Sequence, residues 1–237
     1  MRILLRLFGL VLLSLLCLQL YFAARILAMN WINPESTAFQ RSEAWRVTQT
    51  TGQLNWRQQW VPYAQISVHL KRAVIASEDA SFAEHDGVDL EALEKAWDKN
   101  QKAQARAARS DSRAPKIVGG STITQQLAKN LFLSGERTLV RKGQELALTF
   151  MLEAFLSKQR ILEIYLNSVE WGEGVFGAEA AAQHYFRKPA ARLSAYEAAR
   201  LAVMLPRPRY LETRPNSGYL LNRALTITAR MGAVELP

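Results

Sequence analysis

Residues 7–24 carry no charge: eighteen uncharged, mostly apolar positions lie between Arg2 and Arg6 on one side and Arg25 on the other. As a helix this run is about 27 Å long, enough to cross the hydrocarbon core of a bilayer. The pattern predicts a single-pass anchor over residues 1–30. Its basic flank places the N-terminus in the cytoplasm and the rest of the chain outside the inner (cytoplasmic) membrane, with Trp31 at the outer interface. A cleaved signal peptide is the competing reading, but Leu20, Tyr21 and Phe22 make a poor small-x-small cleavage site.

Beyond the anchor, residues 31–59 are polar and mixed, with Pro34, Gly52 and many Ser and Thr, and read as a periplasmic connector with little core. Val61, Tyr63, Ile66, Val68 and Leu70 then lead into Arg72-Ala-Val-Ile-Ala-Ser-Glu78, an apolar approach to a carboxylate. Residues 90–97 have helical spacing. Residues 98–116 hold no large apolar side chain and are rich in Lys, Arg, Gln, Ala and Ser, which predicts a mobile basic loop and a candidate lid; a solvated helix extension is the alternative. Residues 138–167 form one nearly continuous apolar helical pattern with a break near 157–159. Two more helical patterns follow, at 193–204 with a Ser194/Glu197 capping box and at 219–231. Strand-like alternation is scarce, so residues 60–237 are expected to form one mostly α domain.

The densest set of chemical groups lies in residues 119–145, GGSTITQQLAKNLFLSGERTLVRKGQE. Thr122 and Gln125 make a capping box, so a helix begins there, and along it Gln125 and Lys129 share a polar face. On a second helix starting near Thr138, the spacing of Arg137, Arg141 and Glu145 by fours draws a polar line along one side. Glu78 is the carboxylate outside this stretch. A solvated helix position is the ordinary reading of a lone Glu, but an apolar lead-in with Asp79 and His85 nearby fits a carboxyl of raised proton affinity, suited to acid or base work.

The chain of 237 residues has room for the anchor and one domain. Thirty Lys and Arg against 21 Asp and Glu give a net charge of +9 and a pI near 9.9, which calls for an anionic partner. An extracytoplasmic domain speaks against nucleic acid and leaves anionic lipid or a phosphorylated substrate. Cys17 is the only cysteine, so no intrachain disulfide is expected, and three scattered histidines form no His-rich metal motif. Gly172, Gly174 and Gly177 are followed by no Gly-Lys-Ser/Thr, so they are not a nucleotide loop. No organic cofactor is indicated.

Five blocks, EDASFAEHDGVDL, GGSTITQQLAKN, RTLVRKGQE, KQRILEIYLNSVEWGEGVFGAEAAAQHYF and LSAYEAARLAVMLP, resemble in order the signature blocks of the family 51 peptidoglycan glycosyltransferases. They cover about residues 66–206. No Ser-x-x-Lys occurs, so the chain is similar to the monofunctional members, which lack the penicillin-binding transpeptidase half. The resemblance implies a lysozyme-like α fold with a flexible membrane-facing jaw. The implied activity is polymerisation of lipid II by inverting transfer from a polyprenyl-pyrophosphate-linked sugar to a 4-hydroxyl. Lipid II, the nascent glycan strand and membrane lipids are the implied partners, with division or elongation proteins as recruiters.

By the family's pattern Glu78 is the base. Glu145 is the second catalytic carboxylate, orienting the diphosphate or a divalent ion (Mg or Mn) bound to it. Lys129 and Arg137 match the positions that hold the diphosphate. A cation such as Arg137 near a helix N-terminus is disfavoured by the dipole, so a phosphate partner explains it better than capping does. Ser121, Thr122, Gln125 and Gln126 match donor-contacting positions, with capping alone as the alternative for Ser121 and Thr122. Arg141 is a partner for Glu145, and Glu163, Asn167 and the fourth-block glycines hold the fold. Two other classes compete: a lysozyme-like lytic hydrolase or lyase, which has no diphosphate for Lys129 and Arg137 to neutralise, and an inactive tethered binding protein, which leaves Glu78 and Glu145 unexplained.

Overall fold

The computed structural model describes residues 1–109, 119–136 and 138–237. The uncharged run lies in α1 (Arg2–Ala28), long and apolar enough to cross a membrane, and none of the side chains in its most apolar window is buried. Its last turns dock on the domain. Ile26 and Met29 are buried, Arg160 Nε donates to the Met29 carbonyl at 2.7 Å, and Asn30 Nδ2 donates to the Phe155 carbonyl at 2.9 Å.

The expected connector instead contains α2 (Ala38–Thr51), opened by a capping box in which Thr37 and Gln40 exchange bonds of 2.8 and 3.0 Å. Gln40 and Val47, seven residues apart on one face, are buried, and Gln40 also donates to the Ser168 carbonyl. The segment belongs to the domain because its inward face is partly polar and hydrogen-bonded, which an apolar pattern does not register. The chain continues through β1 (Arg57–Gln58), α3 (Val68–Glu78) and α4 (Leu90–Arg109). The basic loop expected over 98–116 is thereby corrected as far as Arg109. Its Ala, Gln, Lys and Arg are strong helix formers and extend the helix without large apolar side chains; residues 110–118 lie outside the described residues.

The remaining elements are α5 (Ile123–Phe132), α6 (Leu139–Phe155), α7 (Lys158–Ser168), β2 (Glu170–Gly172), β3 (Val175–Phe176), α8 (Ala178–Phe186), α9 (Ala195–Met204), α10 (Pro208–Glu212) and α11 (Gly218–Arg230). The expected break between α6 and α7 falls at Ser157, whose hydroxyl caps α7. Helices α3, α9 and α11 pack together, while α5 lies against α6, α7 and α2. Between these groups Tyr165, Trp171, Phe82 and Phe176 are fully buried. The three glycines stand in or beside a small sheet of order β1-β3-β2, with β1 parallel and β2 antiparallel to β3. Gly174, at φ +71°, brings its backbone so close to Asn55 that a Cβ would lie 1.9 Å from the Asn55 carbonyl oxygen. Asn167 grips Val61 through both its amide and its carbonyl, at 2.9 and 3.0 Å, in the fold-holding role expected of it.

Candidate active site

Glu78 is the last residue of α3, a helix fixed to the core by Leu70, Ala73, Val74 and Ile75. The chain then turns sharply, and its next residue secures the turn. Buried Asp79 accepts from His85 Nε2 at 2.8 Å through one oxygen and from the Ile123 amide at 2.9 Å through the other. The second bond places a carboxylate on the N-terminus of α5, where the helix dipole favours it. His85 Nδ1 in turn accepts from the Gly87 amide at 3.1 Å, and the Gly87 carbonyl accepts from Thr122 Oγ1 at 2.6 Å. Glu78 and the start of α5 are thus tied to one another by hydrogen bonds.

The Glu78 carboxyl is half-buried in the wall of a cleft of about 480 Å³ that also presents Asp79, Ser81, Asp89, Ser121 and the α4 residues Lys95 and Lys99. Burial raises its pKa, and the charge of Asp79 adds to the rise. Donation from Gln126 Nε2 at 3.0 Å, a weaker bond from Ser77 and the charge of Arg223 on α11 act the other way. Behind Gln126, its Oε1 accepts from the buried Tyr165 hydroxyl at 2.9 Å. The result is a carboxyl of raised proton affinity with solvent access, the property expected of Glu78 from sequence.

Further along α5, where Lys129 follows Gln126 by three residues or about 4.5 Å of helix rise, a second pocket of about 390 Å³ is lined by Lys129, Asn130, Arg141, Glu43 and Glu136, among others. Buried Glu145 on α6 accepts from Arg141 Nη1 at 2.9 Å and from Lys142 Nζ. Arg141 keeps a buried Nε without a partner among the described residues, a donor available to an anion. Lys129 keeps part of its surface exposed, yet crowding lowers the pKa of its ammonium, first by desolvation. Its charged neighbours are Glu145 and Glu78, which raise the pKa, and Arg141 and Lys142, which lower it. Lys129 therefore feels both carboxylates.

The predicted residues fall into separate groups. Glu78, Gln126 and Ser121 meet at or beside the cleft, while Lys129, Arg141 and Glu145 meet around the second pocket. Thr122 and Gln125 are buried and exchange bonds of 3.2 Å across the α5 cap. The Thr122 hydroxyl also donates to the Gly87 carbonyl, so both residues cap α5, while Thr122 lines the cleft as well. Arg137 lies outside the described residues. Both oxygens of Glu145 face cations, with Lys129 adding positive charge nearby, so the carboxylate holds Arg141 and Lys142 in place.

Sequence reasoning passed over Tyr165, a core aromatic by its spacing, and Lys142, whose adjacency to Arg141 was the available signal. A desolvated carboxyl bonded to Gln126 and a cluster of cations further along α5 are suited to group transfer: a carboxylate can accept a proton from a hydroxyl and cations can neutralise an anionic leaving group.

The comparisons agree with that class. Residues 46–232 match the family model described as Transglycosylase, and the chain belongs to that family. Among its relatives, a biosynthetic peptidoglycan transglycosylase of Burkholderia orbicola strain MC0-3 is 55% identical over 222 residues, covering 94% of this chain and 86% of that protein. A protein of the same description from Burkholderia thailandensis is 56% identical over 222 residues, covering 94% and 83%. The family resemblance read from the five blocks is borne out, and with it the mostly α, lysozyme-like domain.

Proposed function

We propose that the protein polymerises lipid II into peptidoglycan glycan strands by inverting glycosyl transfer. In this reading Glu78 removes the proton of the incoming sugar 4-hydroxyl. Lys129 and Arg141, with Lys142 beside Glu145, take up the charge of the departing diphosphate. The observation that carries the reading is the pairing of a desolvated Glu78 in one cleft with the Lys129 and Arg141 pocket next along α5. Cleavage of a finished glycan, with a neutral sugar as leaving group, has no use for the second pocket.

The same reading places α1 across the inner membrane with the domain on the outer face, as the basic Arg2 and Arg6 favour. Two observations support contact with lipid: Trp31 beyond α1 is 78% exposed, and Leu139 and Val140 at the start of α6, the helix that α1 touches, are 91% and 84% exposed.

The test uses the full chain in detergent with lipid II as sole substrate. Polymer that lysozyme degrades is the expected product, and its loss in Glu78→Gln with helical circular dichroism retained supports the base assignment. Full polymerisation by that variant removes Glu78 from the role. Cleavage of purified glycan strands with no polymer formed would make the protein lytic instead.

A further inference from the structure

The polar chain behind Glu78 runs through three elements. Glu78 ends α3, Gln126 lies on α5 and Tyr165 on α7, linked by bonds of 3.0 and 2.9 Å. Which edge of the Gln126 carboxamide faces Glu78 is decided by its two neighbours. An ionised carboxylate only accepts, so the NH2 edge must face it and the Oε1 edge must face Tyr165. Tyr165 is fully buried, and burial, with the charges of Glu78 and Asp79, holds its hydroxyl protonated far above neutral pH. Among the described residues its proton has one acceptor, Gln126 Oε1.

We propose that Tyr165 is a positioning residue for the transfer reaction, its hydroxyl locking the Gln126 carboxamide so that the NH2 edge stays turned to Glu78. If the amide turned over, its carbonyl would face the Glu78 carboxylate, and the Tyr165 proton would lose its acceptor. Both changes are unfavourable, the first in a partly buried setting and the second at a fully buried hydroxyl. The lock keeps Glu78 ionised and ready to accept the substrate proton, against the burial that favours its protonated form. Tyr165 touches no reacting atom; its effect reaches the reaction only through Gln126 and Glu78. The inference rests on Glu78 acting as the base.

Other charges face Glu78 and are unchanged by the test: Asp79 beside it, Arg223 on α11, Lys129 on α5, and Asp89, Glu91, Lys95 and Lys99, which share its cleft. Removing the lock moves the Glu78 midpoint upward, because the ionised form loses a fixed donor. The acid limb of kcat/KM moves upward with it, and the loss of rate at neutral pH shrinks as pH rises.

The experiment titrates the Glu78 side-chain carboxyl by NMR in the full-length protein in micelles. The chain is labelled with 13C at the glutamate carboxyls, and the resonance is assigned by its loss in Glu78→Gln. Tyr165→Phe is expected to raise the midpoint by about half a pH unit or more. Gln126→Met should raise it as well, with Tyr165→Phe adding nothing in that background. A 3-fluorotyrosine at position 165, a stronger donor that keeps the ring and hydroxyl, should lower the midpoint, and it tests the lock even if Tyr165→Phe does not fold. An unmoved midpoint in a folded Tyr165→Phe protein, or a fluorotyrosine shift of the opposite sign, overturns the proposal. Polymerisation by Glu78→Gln would overturn the base assignment separately, since the carboxyl titration does not depend on activity.

Discussion

Glu145→Gln separates the two roles open to that carboxylate, holding cations or taking part in the reaction. The glutamate side chain is 5% exposed, its partner Arg141 17% and Lys142 51%. Breaking a buried ion pair costs about 3–5 kcal/mol. Here the exposed half of Lys142 reduces that figure and a Gln carbonyl still accepts one bond, so the expected loss is about 2–3 kcal/mol. In a chain of this size that lowers Tm by roughly 5–10 °C. The functional consequence runs through Lys129. Glu145 raises the Lys129 pKa, whereas desolvation, Arg141 and Lys142 lower it. With Gln at position 145 the raising charge is gone, the ammonium loses its proton at a lower pH, and the diphosphate loses a cation there. The alkaline limb of kcat/KM for lipid II should therefore move to lower pH. Adding Lys129→Arg, which stays charged throughout, should move the limb back. Polymerisation is followed across pH with the full chain in detergent, alongside a thermal melt. An unmoved alkaline limb would refute the coupling of Glu145 to Lys129. An equal loss of rate at every pH, not reversed by Lys129→Arg, would return Glu145 to a direct part in the reaction.

Lys129→Ala should raise the lipid II concentration needed for half-maximal rate and slow turnover, by tenfold or more if the diphosphate contact is charge-assisted and worth about 1.5–3 kcal/mol; wild-type kinetics would place the diphosphate elsewhere. Thr122→Val removes both the α5 cap and the bond to the Gly87 carbonyl, so it should cost about 1–3 kcal/mol in a chemical melt. A rise in KM without that loss of stability would assign a substrate contact to Thr122. Gly87→Ala meets a φ of +86° and a Cβ only 2.7 Å from Thr149 Cγ2; the melt should fall by more than about 1 kcal/mol, and activity with it, because the same turn carries Asp79 and His85.

The parts of the site legible in sequence are those built from neighbours along the chain. The Thr122/Gln125 box and the Arg141 to Glu145 spacing are local geometry that a helix fixes by itself, and both stand as read. The apolar run before Glu78 likewise foretold a desolvated carboxyl. What a local pattern does not convey is where a polar group spends its bonds. Thr122 matches a donor-contacting position of the family and also reads as a cap, but neither reading shows its bond to the Gly87 carbonyl, which crosses 35 residues. Residues 98–109 read as a loop because they carry no large apolar side chain to draw a stripe along the helix. Tyr165 shows the same limit from the other side. Its period places it in the core, and nothing on its own helix indicates that its hydroxyl ends 39 residues away on the amide that faces Glu78. Local pattern marked a desolvated carboxyl and a line of charged groups, and the family resemblance gave them roles. The long-range hydrogen bonds decide which neighbours hold them.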